Sequence, residues 1–401
     1  MSLREFRSEA RAWLAENCPQ SMRTPMPEEE IVNGGTKQRS PNPESYAWLE
    51  RMAGRGWTVP HWPEEYGGAN LTKDEYVVLL DEMSAIDARI PLTGMGVSMI
   101  GPTLLEYGTD EQKAEHLPKI ARGEIRWCQG YSEPGAGSDL ASLQTRAVVQ
   151  GDQFIINGQK IWTTLAQHAD WIFCLVRTNP DVPKHEGISF MLVDMDQPGV
   201  NVRPIRLISG TSPFCETFFE DAIAEKKNLV HQLNKGWTVG KRLLQHERSG
   251  IQALAQAAAG RDSRGDTGTP ITEAAKAYVG TDQAGRIADG ALRSEICAHL
   301  MNTRALSLTQ SRSVEESEGG TPGFTTSVFK LRGADLRKEQ LELQLKTRGT
   351  QALGWEGDLF SDEERELTRN WLGSKAGSIA GGSNEVQLNI IAKRVLGLPD
   401  A

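Results

Sequence analysis

The hydrophobic period of this chain changes twice, and that change constrains the fold more than any single motif. Up to about residue 124, apolar residues recur at three- and four-residue spacing over 3–15, 46–54, 73–85 and 110–120, the mark of helices with one buried face. A Trp- and Pro-rich loop, RGWTVPHWP at 55–63, breaks this run. From about 126 to 234 the apolar residues come in short β-branched or aromatic stretches at 147–149, 153–156, 171–176, 188–194 and 200–204. Turn signals such as QGDQ, ING, TNPDVPKHEG and DQPG separate them. Helical periods return over 239–259, 271–313, 328–354, 362–372 and 384–396, with polar insertions at 260–269 and 313–326 that read as mobile loops. The order predicts an α+β multidomain chain with a helical domain at 1–124, a β domain at 125–234 and a second helical domain at 235–401.

At 401 residues the chain is too long for one ordinary core, so its modules should enclose a cleft. Forty-four Lys and Arg stand against 53 Asp and Glu, a net charge of −9. That balance argues against nucleic acid or an anionic membrane as the main partner, because both bind through clustered cations. It leaves room for a local basic pocket that takes a phosphorylated ligand. The five cysteines are odd in number and show no CxxC spacing, which supports neither a disulfide framework nor a thiolate metal site. No apolar run approaches the roughly 18 residues of a membrane span, and MSLREFRSEARAW is a charged amphipathic start, so a cytoplasmic protein is expected.

Familiar signatures fail in detail. PGAGSD at 134–139 has two glycines at dinucleotide-fold spacing, but Leu140 takes the third place. His246-Glu247 begins like HExxH, yet Gly250 stands where the second His belongs. More informative is the stripe formed by Val239, Leu243, Glu247, Ile251 and Leu254, which puts a carboxylate on an apolar helix face. Glu247 either pairs with Arg248 or another cation, or is a desolvated acid with a pKa raised toward that of a general base. Three small-residue or aromatic segments accompany it: CQGYSEPGAGSD at 128–139, GQKIWTT at 158–164 and IAGGSNEVQ at 379–387, the last with Ser383 or Asn384 as helix N-cap.

In this order and at these intervals the segments resemble the acyl-CoA dehydrogenase family. The resemblance is carried by WPEEYGG at 62–68, YGTDEQK at 107–113, YSEPGAGSDLAS at 131–142, INGQKIWTT at 156–164, GISFMLVD at 187–194, NLV followed by GW at 228–237, and GGSNEVQLNIIAKRVLG at 381–397. It implies an N-terminal helical domain, a central β-barrel-like domain and a C-terminal four-helix bundle. It also implies FAD between the β domain and the bundle, and a homodimer or homotetramer, with a hetero-oligomer as the alternative. Residue by residue, Gln129, Tyr131, Ser132 and Ser138 resemble the segment lining FAD, with Ser138 also touching the CoA ligand. Trp162, Thr163 and Thr164 resemble the wall of the flavin ring, Ser383 and Glu385 another FAD-contacting turn, and Gln351 and Gly354 the turn that meets the adenylate part of FAD from the partner subunit. Gln245, Arg248, Gly381 and Gly382 fall at substrate positions.

Two departures matter. Most members open the C-terminal turn with a catalytic glutamate, and here that position is Gly381. A minority carry the base on the earlier helix just before an Arg, where this chain has Glu247 and Arg248, so Glu247 is the expected base. The Arg-x-x-Phe-Gly stretch that helps hold FAD pyrophosphate is missing, and Arg261 or Arg264 would have to replace it. The implied activity is FAD-dependent α,β-dehydrogenation of an acyl-CoA in lipid catabolism by β-oxidation, with electrons passed to an electron-transfer flavoprotein. An oxidase or monooxygenase of the same fold, or a non-catalytic subunit of a hetero-oligomer, are the alternatives. No metal site is expected.

Overall fold

The computed structural model describes residues 2–247, 269–316 and 323–399, the side chains of Glu247, Val314 and Glu315 aside. These residues form two compact units, one made of 2–205 and 212–247, the other of 206–211 and 269–399.

The first unit begins with helices α1 (Leu3–Asn17), α2 (Pro43–Gly54), α3 (Lys73–Ala85), α4 (Gly101–Tyr107) and α5 (Asp110–Ala121). Capping boxes start three of them: Ser2 with Glu5, Thr72 with Glu75 and Thr109 with Gln112, each satisfying backbone N–H groups that the first turn leaves unpaired. Phe6, Ala10 and Leu14, four apart on α1, meet Trp48, Met52, Leu79 and Met83 in the helical core. Helix α4, reached through a wide turn at Gly96–Ile100, has no counterpart in the sequence reading because the stretch GVSMIGP at 96–102 that leads into it carries two glycines and a proline.

The sheet contains β1 (Trp127–Gly130), β2 (Arg146–Gln150), β3 (Gln153–Thr164), β4 (Trp171–Arg177), β5 (Ile188–Asp194), β6 (Val200–Ile205), β7 (Phe214–Glu225) and β8 (Leu229–Val230). Its path is β6-β7-β3-β2-β4-β5-β8, with β1 lying parallel to β4. Strands β4 and β5 are buried on both faces, which explains their unbroken apolar runs. Phe173, Leu175, Phe190 and Leu192 face one core, while Ile172, Cys174, Met191 and Val193 face the other. Helix α6 (Gly236–Glu247) lies on the first of these faces through Val239 and Leu243, both fully buried. Its start demands Gly236, since a Cβ there would sit 2.2 Å from the Ser189 carbonyl carbon.

In the second unit, α7 (Ile271–Val279), α8 (Gly290–Glu315), α10 (Asp362–Ser374) and α11 (Asn384–Ile390) all pack against α9 (Thr326–Arg348). The helix expected over 271–313 is thus two helices. Gly280 ends α7 at φ +84°, the Asp282 carboxylate accepts the N–H groups of Ala284 and Arg286, and Asp289 accepts those of Ala291 and Leu292 to start α8. Helix α9 gives way at Arg348 to a tight turn, Gly349–Leu353. Residues 248–268 and 317–322 lie outside the described residues, and with them the second half of the helix expected over 239–259, nearly all of the insertion at 260–269 and the middle of the one at 313–326. Among the described residues no helix is long and apolar enough to cross a membrane.

Candidate functional site

Strand β1 delivers Gln129 to the sheet and then turns away from it. The Gln129 side-chain nitrogen is buried without a hydrogen-bond partner among the described residues. A buried donor left open costs about 1–3 kcal/mol, so it calls for an acceptor beyond the described residues. After Gly130 the chain makes a tight turn in which Glu133 and Ala136 exchange both backbone hydrogen bonds at 3.0 Å. Tyr131 is buried with its hydroxyl 3.5 Å from the Gly240 carbonyl of α6, Ser132 is half-buried, and Ser138 is exposed at the end of the turn. Added Cβ atoms at Gly135 and Gly137 would meet nothing within 4 Å, so the outer side of the turn is open.

Strand β3 supports this turn from beneath. The Ile161 N–H donates to the Ser132 carbonyl at 2.9 Å. Lys160, wholly buried, places its Nζ 2.7 Å from the Glu133 carboxylate and 3.1 Å from the Tyr131 carbonyl. Next comes a bulge. Ile161 pairs with Glu216 and Thr163 with Cys215, so Trp162 is the extra residue, held at φ +62°. The inserted residue turns its ring outward, 52% exposed and edge-on to Phe214. Thr163 turns inward, donating to the Cys215 carbonyl at 2.9 Å with its hydroxyl also 2.9 Å from that of Thr217. Thr164 is half-buried beside the bulge. A non-glycine residue at positive φ is uncommon, and together with a bulge that aims a large aromatic outward it marks this end of β3 as a candidate site.

Glu247 is the last described residue of α6, four positions after Leu243 and eight after Val239, both fully buried. Arg248, Ile251, Leu254, Arg261 and Arg264 lie outside the described residues. One turn earlier, Arg242 donates to Glu106 on α4 at 2.7 Å and to the exposed Gln245 at 3.1 Å. His246 sits 3.4 Å from Glu106. Burial, and then the Arg242 charge, hold its pKa below the usual histidine range despite that carboxylate. Nearby His61, from the Trp- and Pro-rich loop, is pulled down to about 4 by burial and by the His246 charge.

In the second unit Gln351 is exposed and its carbonyl accepts the Gly354 N–H at 3.3 Å. The Ser383 hydroxyl, rather than Asn384, caps α11 by accepting the Val386 N–H at 3.4 Å, and Glu385 follows on the exposed first turn. Gly381 and Gly382 both have positive φ, +66° and +94°, and their carbonyls accept from the buried Gln387 side chain. The turn itself therefore favours glycine where relatives of the resembling family carry an acid.

Three domain families match the chain in succession: acyl-CoA dehydrogenase N-terminal domain over residues 2–124, middle domain over 128–222 and C-terminal domain over 234–396. Acyl-CoA dehydrogenase IpdE1 of Mycobacterium tuberculosis is 37% identical over 395 residues, covering 98% of this chain and 97% of that one. The chain belongs to the acyl-CoA dehydrogenase family. Among solved structures, the ChsE4-ChsE5 complex from Mycobacterium tuberculosis is similar at a TM-score of 0.75 and 29% identity, covering 100% of this chain and 98% of that one. A steroid acyl-CoA dehydrogenase, Tcur3481-Tcur3483, matches at a TM-score of 0.74, 29% identity and the same coverage.

As an acyl-CoA dehydrogenase the chain is a flavoprotein oxidoreductase of lipid catabolism with FAD as its cofactor. The residues of the first unit fit such a group: an outward aromatic plane at Trp162, an open backbone turn at 133–138 and a buried donor at Gln129 that has no partner among the described residues. Three residues that hold this arrangement, Glu133, Lys160 and Thr217, are absent from the sequence-based set. A signal for Lys160 existed, since it falls on the inward period of β3 with the buried Phe154 and Ile156.

Proposed function

We propose that this acyl-CoA dehydrogenase converts an acyl-CoA thioester to the trans-2-enoyl-CoA, with Glu247 as the base and an electron-transfer flavoprotein as the electron acceptor. The observation that carries the assignment of the base is a pair of positions. The turn that holds an acid in most of the family has glycine at left-handed φ, while Glu247 continues the buried Val239–Leu243 register of α6. FAD, when bound, supplies the hydride acceptor for the β-carbon. Glu247 removes the proton from the α-carbon, beside the thioester carbonyl. The Gly381 backbone N–H donates to the thioester oxygen as charge builds there, a role that needs no side chain. Arg248 orients Glu247, and Ser138, Gln245 and Gly382 contact the CoA ligand. Gln129, Tyr131, Ser132, Trp162, Thr163 and Thr164 hold FAD, as do Ser383 and Glu385, while Gln351 and Gly354 meet the FAD of a partner subunit. We place the enzyme in the cytoplasm, with 1–124, 125–234 and 235–401 as its domains.

The similarity to an enzyme described as a steroid acyl-CoA dehydrogenase supports a bulky, ring-bearing acyl group as substrate. A second reading, that this chain works beside a different subunit, is favoured by the likeness to the ChsE4-ChsE5 complex and by GRDSRGD at 260–266 in place of Arg-x-x-Phe-Gly. Purified protein should be yellow and should bleach anaerobically with a ring-bearing acyl-CoA. Protein that is colourless alone and coloured only with a second subunit supports the second reading, and rapid reoxidation in air with peroxide release points to an oxidase.

A further inference from the structure

The pair Lys160 and Glu133 stands out as ionised groups sealed inside the β unit that take no part in the proposed chemistry. Lys160 is wholly buried and Glu133 nearly so. Taking two charges out of water is costly, and such a pair is weak grounds for stability, because apolar residues of similar volume commonly do as well. What it achieves here is geometric. One Glu133 oxygen takes the Lys160 ammonium at 2.7 Å and the Thr145 N–H at 2.9 Å, and the other takes the Gln144 N–H at 2.6 Å. The same ammonium donates to the Tyr131 carbonyl at 3.1 Å. Two buried side chains thus tie together the start of the turn, its exit at 144–145 and the strand that presents Trp162 two residues on. Burial alone would raise the Glu133 pKa, but the Lys160 charge and the N–H donors outweigh it and keep the carboxyl below its usual range.

We propose that Lys160 and Glu133 are positioning residues for the cofactor: they fix the 131–138 turn against the Trp162 bulge before FAD arrives, so that the ordering is not required at binding. This rests on the reading of 129–164 as the FAD wall. Removing the tie moves that ordering into the binding step, which weakens FAD affinity by about tenfold or more.

The test compares the parent with K160M and with E133Q/K160M. K160M leaves a buried carboxylate unpaired and melts early, whereas the double variant carries neither charge and recovers part of the melting temperature, since the amide nitrogen that E133Q introduces faces one of the two N–H groups the carboxylate accepted. The proposal expects FAD titration of the double variant to remain at least about tenfold weaker than the parent, with an altered visible circular dichroism band of the flavin at saturation. Recovery of affinity and spectrum together with melting temperature overturns it, because the pair is then merely structural. A measurement that needs no variant is hydrogen exchange on the parent stripped of FAD. The amides of Ala136, Gln144 and Thr145 should be protected, and fast exchange there overturns the proposal. A parent that takes up no FAD defeats the FAD-wall reading itself, which the exchange result does not depend on, and the proposal falls with it.

Discussion

Acid should remove stability from the first unit through His116, and the size of the effect follows from its surroundings. The ring is 1% exposed on α5, edge-on to Trp127 at 5.2 Å and Trp171 at 4.8 Å, and neither nitrogen has a hydrogen-bond partner among the described residues. Burial, with repulsion from Lys119 and Lys227 set against attraction from Glu115, lowers its pKa from 6.5 to about 4. The folded state therefore binds fewer protons than the unfolded chain between those two values. Stability is complete above 6.5 and is lost as pH falls toward 4. With ~1.4 kcal/mol per unit of pKa shift, the loss reaches about 2 kcal/mol at a pH of about 5. Carboxylates begin to titrate in the same range, so the comparison is with H116L, which keeps the volume and loses the titration. Urea unfolding of both proteins at pH of about 7.5 and about 5 should show the parent losing about 2 kcal/mol more than the variant. Equal losses would refute the reasoning.

Further outcomes follow from single contacts. T163V removes the donor to the Cys215 carbonyl and strands the Thr217 hydroxyl, at a cost of about 1–3 kcal/mol and with weaker FAD uptake, read by melting and by titration. L243A opens a cavity under α6, where the side chain is fully buried, and should cost about 2–5 kcal/mol in urea unfolding. G381E forces a side chain onto backbone at φ +66° and should lower stability by about 1–2 kcal/mol, so an unchanged melting temperature contradicts the account of that turn.

The alternation of helical and strand periods was legible because each element buries one face or both. Strands β4 and β5 could be read directly from their runs of apolar residues. Strand β7 could not, because Glu216, Glu220 and Asp221 interrupt its pattern and Asp221 takes φ +52° where the ladder is irregular. The break after α7 was hidden by the apolar period continuing on both sides, although Gly280 and Asp282 were available to mark it. At the site, the glycine turn and Trp162 were visible as residue types. The bulge that turns Trp162 outward was not, since one inserted residue reverses the faces without changing composition. Lys160 sits on the inward period of β3, but charged residues are expected outside, and only its pairing with Glu133 in three dimensions explains why two of them are inside.

Glu247 as the base that takes the substrate proton is tested most directly by anaerobic flavin bleaching of the parent and E247Q by the same acyl-CoA. E247Q should retain FAD with the parent's affinity and lose bleaching by about 100-fold or more, the scale of a missing general base. Bleaching of E247Q at the parent rate would contradict that role.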